Sequence, residues 1–419
     1  MLNKVSRSFA IVIQQLPHEL QDAVCIFYLV LRALDTVEDD MSIPEKVKCP
    51  ELEKFWKKIY DPKYTYPCGE KHYKVLMDEY PKVTAVFLGL KKEYQDVIAD
   101  ITKRMGAGMS NFIKREVVTL EDWDEYCHYV AGLVGIGLSN LWASSMLEDE
   151  RFAEMEDLSN SMGLFLQKTN IVRDYLEDIM EEPAPRMFWP KCVWSKYGDS
   201  LDDFKEPENR EAAVHCMNHL ITNALEHGID SLEYMSRLKN VEVFRFCAIP
   251  QVMAIATLAE CYGNGKVFEG VVKIRRGLSA RIMLNTQDIY DVAKAFKDFG
   301  AVISKKAKKA GTSDPTAKTT LKNLAKIEKR CDAIIASDTA GFAKKYDDEL
   351  HILLRMFIWF ITAVYVAHAF QLGNVRETIG LGALTPANTG NIVFDNLEKI
   401  LAVLFCLAAT IFVVTGQLF

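Results

Sequence analysis

An all-α fold follows from three features of this sequence. Apolar residues recur at the three- and four-residue spacings of buried helix faces, and no stretch shows the two-residue alternation of a half-buried strand. The most apolar early stretch, Ala23–Leu34, carries neither Pro nor Gly, so a long buried helix is its natural form. The 419 residues suffice for one large domain or two smaller ones, and a hydrophobic share of 49% can fill a sizeable core. A net charge of −7, with no aromatic-interleaved basic patch, argues against nucleic-acid binding. The ten cysteines include no C-x-x-C pair, so neither a zinc site nor a disulfide framework is expected, and a reducing compartment fits.

In chain order, Ser6 or Ser8 is placed to cap a first short helix, and Pro17 opens the long one. Residues 42–72 hold several prolines and aromatics and read as a loop-rich crossover around one short helix. Helical periodicity runs from Val83 to Met109 and ends in Gly106-Ala-Gly108. After Leu120 the small residues Ala131, Gly132, Gly135 and Gly137 allow close helix approach or backbone contact with a ligand. A second acidic helix, Leu164–Asp178, precedes a proline-bounded aromatic loop from Pro183 to Pro190. Residues 208–240 and 243–262 read as helices, and 267–284 gathers Lys273, Arg275, Arg276 and Arg281. The lysine-rich segment 304–330 reads as an exposed, mobile connection.

The C-terminus differs in kind. Residues 356–375 and 400–419 are each 20 residues without an acidic or basic charge, and each would span roughly 30 Å as a helix, the thickness of a bilayer core. A membrane hairpin is expected, with a single tail anchor as the alternative. Lys344, Lys345 and Arg355 put the N-terminal body on the cytoplasmic side. The organisation is therefore a helical domain over 1–340 followed by an anchoring region over 341–419.

The chemistry lies in two acidic motifs of the form D-x-x-E-D, Asp35-Thr-Val-Glu38-Asp39 and Asp174-Tyr-Leu-Glu177-Asp178. Tyr28, Arg32, Asp35 and Asp39 follow steps of four, three and four, so they share one helix stripe with Glu38 at its edge. Gln167, Asn170 and Asp174 extend the second stripe upstream. Both motifs crowd carboxylates toward a helix C-terminus, where the macrodipole disfavours them. One such run is usually a solvated face, but a matched pair on buried helices would repel unless cations intervened. Carboxylates with substrate phosphates are what magnesium prefers. Arg32 and Arg173, among or beside those carboxylates, suit phosphate recognition. Phe244, Phe246 and Tyr126 are either core aromatics or faces that stabilise carbocations. Lys273, Arg275 and Arg276 are equally a solvated face or an anion site. His215 and His219 lack the Glu of a zinc-protease helix, and no G-x-G-x-x-G follows a strand.

Seven blocks in order resemble squalene synthases of the squalene/phytoene synthase family. They are Ser6-Arg7-Ser8-Phe9, Tyr28–Asp40, Tyr126–Gly135, Gln167–Asp178, Phe188-Trp-Pro190, Cys247–Met253 and Lys273-Ile-Arg275. The resemblance covers residue 3 to about residue 340 and implies a single isoprenoid-synthase-like helical domain with a central pocket. It implies head-to-head condensation of two farnesyl diphosphates to presqualene diphosphate, then NADPH-dependent reduction to squalene, the committed step of sterol biosynthesis. Asp35, Glu38, Asp39, Asp174, Glu177 and Asp178 would hold Mg2+. Tyr126, Phe246, Phe244 and Arg173 would be catalytic, and Arg7, Arg32, Arg173, Lys273 and Arg275 would meet diphosphate or NADPH phosphates. Ser6, Phe9, Tyr28, Gln167, Asn170 and Gln251 would line the substrate pocket. A monomer anchored in the endoplasmic-reticulum membrane is implied, with no Rossmann fold for its hydride donor. The family carries a few dozen residues ahead of Ser6-Arg7-Ser8-Phe9, where this sequence has Met1–Val5. A phytoene-synthase-like enzyme that omits the reduction is the nearest alternative, and a membrane-tethered isoprenoid-binding scaffold is the non-enzymatic one.

Overall fold

The computed structural model describes residues 1–6, 8–182, 184–337 and 356, with the backbone alone for Ser8. Arg7 and, apart from Met356, both C-terminal hydrophobic segments lie outside the described residues. Residues Met1–Thr339 make one compact unit, and the described residues contain no strand.

Ser6 caps the first turn of Ser8–Ile13, its Oγ accepting from the Phe9 N–H at 3.2 Å. Pro17 stands at the N-cap of His18–Asp39, the first acidic helix, which buries Leu20, Val24, Phe27, Leu31 and Leu34. The run expected over Val83–Met109 is two helices, Tyr80–Leu88 and Lys92–Phe112. Gly89 closes the first, and Lys91 then takes an extended conformation that redirects the chain. Lys92–Phe112 and the helix Leu133–Ser145 both pack on the first acidic helix.

Thr119 and Asp122 form a capping box that starts Leu120–Cys127. A π-helical turn, His128–Gly132, follows and leads into Leu133–Ser145. Against this turn and helix lies Glu156–Arg173, the second acidic helix. The small residues are required by that approach. A Cβ on Gly163 would fall 2.3 Å from the Ala131 carbonyl oxygen, and one on Gly135 would fall 2.3 Å from that of Ser159.

The sequence predicts one helix over Leu164–Asp178, but the chain breaks it at Asp174 (φ −92°, ψ 13°) and resumes at Tyr175–Ile179. The break lets Tyr175 enter an aromatic cluster with Trp189, Phe204 and Phe268. Val241–Cys261 is long and apolar enough to cross a membrane, yet most of it is buried in this core. It packs against the second acidic helix and Ile289–Ala310.

The expectation for 304–330 is corrected. Instead of a mobile connection, Ile289–Ala310 and Ala317–Ser337 pair closely, burying Ile303, Ala307, Leu324 and Ile327. Their turn is pinned by buried Asp314, which accepts hydrogen bonds from Asn218, Thr316 and the Tyr262 hydroxyl. The lysines lie on amphipathic helices, so composition alone hides the apolar stripe beneath them.

Candidate active site

A cavity of about 280 Å³ opens between the two acidic helices. Phe9, Tyr28, Arg32, Asp35, Gln167, Asn170, Phe246 and Gln251 all line it. Its remaining walls are largely hydrocarbon, including Phe27, Leu31, Met105, Val134, Leu138 and Pro250. Phe244 is buried but forms no part of the wall. Two residues along a helix are turned by about 200°, so it cannot share a face with Phe246. Ser6 does not line the cavity either, since its hydroxyl is the helix cap.

The carboxylates at the cavity's polar end meet arginines. Arg32 pairs with Asp35 at 3.2 Å, and Arg173 grips Asp174 through Nε at 2.6 Å and Nη2 at 2.5 Å. Arg186, from the loop after the second motif, reaches back to the first. Its Nη2 donates to Glu38 Oε1 at 2.5 Å, and its Nη1 donates to Asp39. The Arg186 backbone N–H donates to the Asp178 carbonyl at 3.1 Å, and its charge also reaches the Asp178 carboxylate. Arg186 therefore joins the two motifs, its guanidinium on the first and its backbone N–H on the second. Lys48 adds a cation at the first helix end, donating to the Glu38 carbonyl at 2.7 Å. These side chains offset the macrodipole at that end.

Burial dominates the carboxyl chemistry. It pushes Asp35 up to about 6 against the opposing pull of Arg32. It also pushes Asp178 up to about 7, with Asp174 adding in the same direction. Glu38 is likewise raised by burial, against Arg186. For Arg186, burial favours losing the proton, but Glu38 and Asp39 outweigh it and hold the charge. Among the described residues, no three His, Cys, Asp or Glu side chains gather closely enough to hold a metal. Asp39 and Glu177 are exposed. The donor type nevertheless fits magnesium, since all six are hard carboxylate oxygens, and burial of Asp35, Glu38 and Asp178 favours a neutralising cation.

Tyr126 lies flat on Phe188, with ring centroids 3.9 Å apart and planes 9° from parallel, and Phe112 meets it edge-on. Burial first, then the Glu38 charge, raises its phenol well above the ordinary value. The ring therefore stays a neutral phenol beside the carboxylates.

A second cavity, about 630 Å³, is lined by Lys4, Lys71, His72, Arg173 and Lys273 together with Val5, Tyr73, Met253 and Ile274. It adjoins the first, because Arg32 of the first cavity stands 5.8 Å from the Tyr73 ring of the second. Arg275, which the resemblance groups with Lys273, is exposed at the N-cap of Arg276–Asn285 and does not line this cavity. Sequence reasoning missed Arg186, Phe188, Lys4 and Lys71. A lone arginine between an acidic motif and Phe188-Trp-Pro190 was the available signal for the first two.

The squalene/phytoene synthase family profile matches residues 2–277. The squalene synthase of Nicotiana benthamiana is 55% identical over 368 residues, 88% of each chain. The chain belongs to the squalene synthase family. Squalene synthase 11 of Panax ginseng is 57% identical over 379 residues, 90% of each chain. A solved complex of TcSQS with a ligand superposes with a TM-score of 0.77 at 45% identity, covering 79% of this chain and 96% of that one. The all-α architecture is thus that of the squalene synthases.

Proposed function

We propose that this chain joins two farnesyl diphosphates head to head into presqualene diphosphate and reduces that intermediate to squalene, the committed step of sterol biosynthesis. The observation carrying this reading is that Arg186 bridges the two carboxylate motifs, the first of which enters a hydrocarbon-lined cavity through Asp35. Asp35, Glu38, Asp39, Asp174, Glu177 and Asp178 would hold magnesium, which would supply charge neutralisation to a departing diphosphate. Arg32, Arg173 and Arg186 are the guanidiniums beside those carboxylates that suit gripping diphosphate oxygens. The hydrocarbon walls exclude water from the ionised chain, and the Phe246 ring in that wall offers a π face that stabilises positive charge without attacking it, whereas Tyr126, stacked on Phe188 and outside the wall, keeps its catalytic role by resemblance alone.

NADPH supplies a hydride, and the cationic second cavity suits its phosphates through Lys4, Lys71, Arg173 and Lys273. Arg7 and Arg275 keep phosphate roles by resemblance alone. The enzyme is a monomer in the endoplasmic-reticulum membrane, with residues 1–340 facing the cytoplasm and the segments 356–375 and 400–419 as its anchor.

Asp35→Asn and Asp174→Asn each test the shared site. Each is expected to lose both half-reactions by at least about a hundredfold, the scale of losing one electrostatic contact to the transition state. Presqualene diphosphate formation retained in either variant would contradict the shared site.

A further inference from the structure

Gln251 is 1% exposed and lines the hydrocarbon cavity immediately after Pro250. Its Nε2 donates to the Met162 carbonyl of the second acidic helix at 3.0 Å, which fixes which end of the amide is nitrogen. Its Oε1 is buried and has no donor among the described residues. A buried carbonyl oxygen without a partner is destabilising, and an apolar side chain of the same length would avoid it. Pro250 adds to this. Having no N–H, it leaves the carbonyl of Phe246, four residues earlier on the same wall, without its usual helical donor. The nearby hydroxyls behave differently: Ser139 bonds to Ser159 and to Tyr234, each at 2.7 Å, so that group is satisfied.

A farnesyl chain brings no N–H or O–H donor to this wall. Positive charge on carbon is what complements a bare carbonyl dipole, and it does so most strongly where water is excluded. Met253, two residues further along and so on another face of this helix, lines the second cavity instead.

We propose that Gln251 is a catalytic residue of the second half-reaction, its amide oxygen stabilising the carbocation formed from presqualene diphosphate. This rests on the function proposed above. In that step the C–O bond breaks and its electron pair leaves on diphosphate. The cation then rearranges by carbon–carbon bond migration with no atom gained or lost. A hydride from the dihydronicotinamide, carrying two electrons, closes it to the hydrocarbon and leaves oxidised nicotinamide. A neutral amide oxygen is too weak a base to take a proton from the cation, whereas a carboxylate there would remove one and leave an extra double bond.

The test uses the full-length chain with Gln251→Met and Gln251→Glu. Presqualene diphosphate formation is measured from farnesyl diphosphate without NADPH. Its conversion is measured by supplying presqualene diphosphate with NADPH. Gln251→Met is expected to slow conversion about tenfold more than it slows formation, about 1.4 kcal/mol. A tertiary ammonium analogue of the intermediate and its uncharged carbon isostere are also titrated by calorimetry. Gln251→Met should weaken the ammonium by about tenfold and leave the isostere unchanged. Gln251→Glu should tighten the ammonium relative to the isostere and divert product to an unreduced polyene. Equal loss in both half-reactions, or equal weakening of both analogues, overturns the proposal. If Gln251→Met does not fold, an unchanged ammonium-to-isostere ratio in Gln251→Glu overturns it alone. Wild-type protein inert toward farnesyl diphosphate would instead remove the functional reading on which the proposal stands.

Discussion

Arg186 shows how much one side chain decides at this site. It is 16% exposed and its partner Glu38 is 11% exposed, so removing the guanidinium leaves a desolvated carboxylate facing other carboxylates. Breaking such a buried pair from one side costs roughly 3 kcal/mol or more. Arg186→Met is therefore expected to lower the metal-free unfolding midpoint by several degrees, and Mg2+ should restore more stability to it than to wild type. Thermal unfolding with and without Mg2+ checks this, and an unchanged midpoint would show that the pair contributes little. Phe246 meets Trp142 edge-on at 5.6 Å and lines the cavity, so Phe246→Leu keeps an apolar filler but loses the π face. Presqualene diphosphate consumption should fall more than its formation, and equal losses would reduce Phe246 to a packing residue. Helical spacing marked Asp35 on one stripe and Gln167 and Asn170 on another, whereas Gln251 was marked by a family block alone. Arg186 was not, because it acts from a loop whose path no periodicity encodes, and Phe244 misled because sequence proximity to Phe246 is not a shared face.

At the scale of the elements, the two acidic helix ends store a proton linkage. Asp178 rises from its usual 3.8 to about 7, and Asp35 to about 6, chiefly through burial. An acid whose folded value exceeds its unfolded value holds protons that the unfolded chain has already released. Its contribution to stability is thus lost as pH climbs from about 4 toward 7. Mg2+ bound at these carboxylates would displace those same protons, so its affinity is expected to increase from about pH 5.5 to pH 7.5, with protons released on binding. Calorimetry in buffers of different ionisation enthalpy measures that release, and pH-independent binding without release would contradict the linkage. The second acidic helix also meets the π turn too closely for a side chain at Gly163. Gly163→Ala should destabilise the fold by about 1–3 kcal/mol in denaturant unfolding, and a neutral result would mean the helices can separate cheaply. The sequence showed that these helices exist. It could not show the break at Asp174, where no Pro or Gly intervenes and the demand comes from Tyr175 packing against Trp189 and Phe268. The hairpin over 304–330 was hidden for a related reason, since its lysines resemble a linker until the buried stripe beneath them is seen.

For the whole molecule, the helical body sets a hydrocarbon cavity beside a cationic one, with Arg32 and Tyr73 at their common edge. The fold class was legible because 3.6-residue periodicity dominates the sequence, and the paired acidic motifs marked the chemistry before any geometry was known. The second cavity was only partly legible. Lys4, Lys71 and Lys273 are far apart in sequence, and their convergence is a property of tertiary packing. The most direct measurement supplies full-length protein in detergent with farnesyl diphosphate and Mg2+, with and without NADPH, and identifies products by mass spectrometry. Presqualene diphosphate should accumulate without NADPH and give way to squalene with it, and chelating Mg2+ should stop both. An unreduced C30 hydrocarbon as the end product despite NADPH, or turnover that persists after chelation, would contradict a two-step synthase built on these carboxylates.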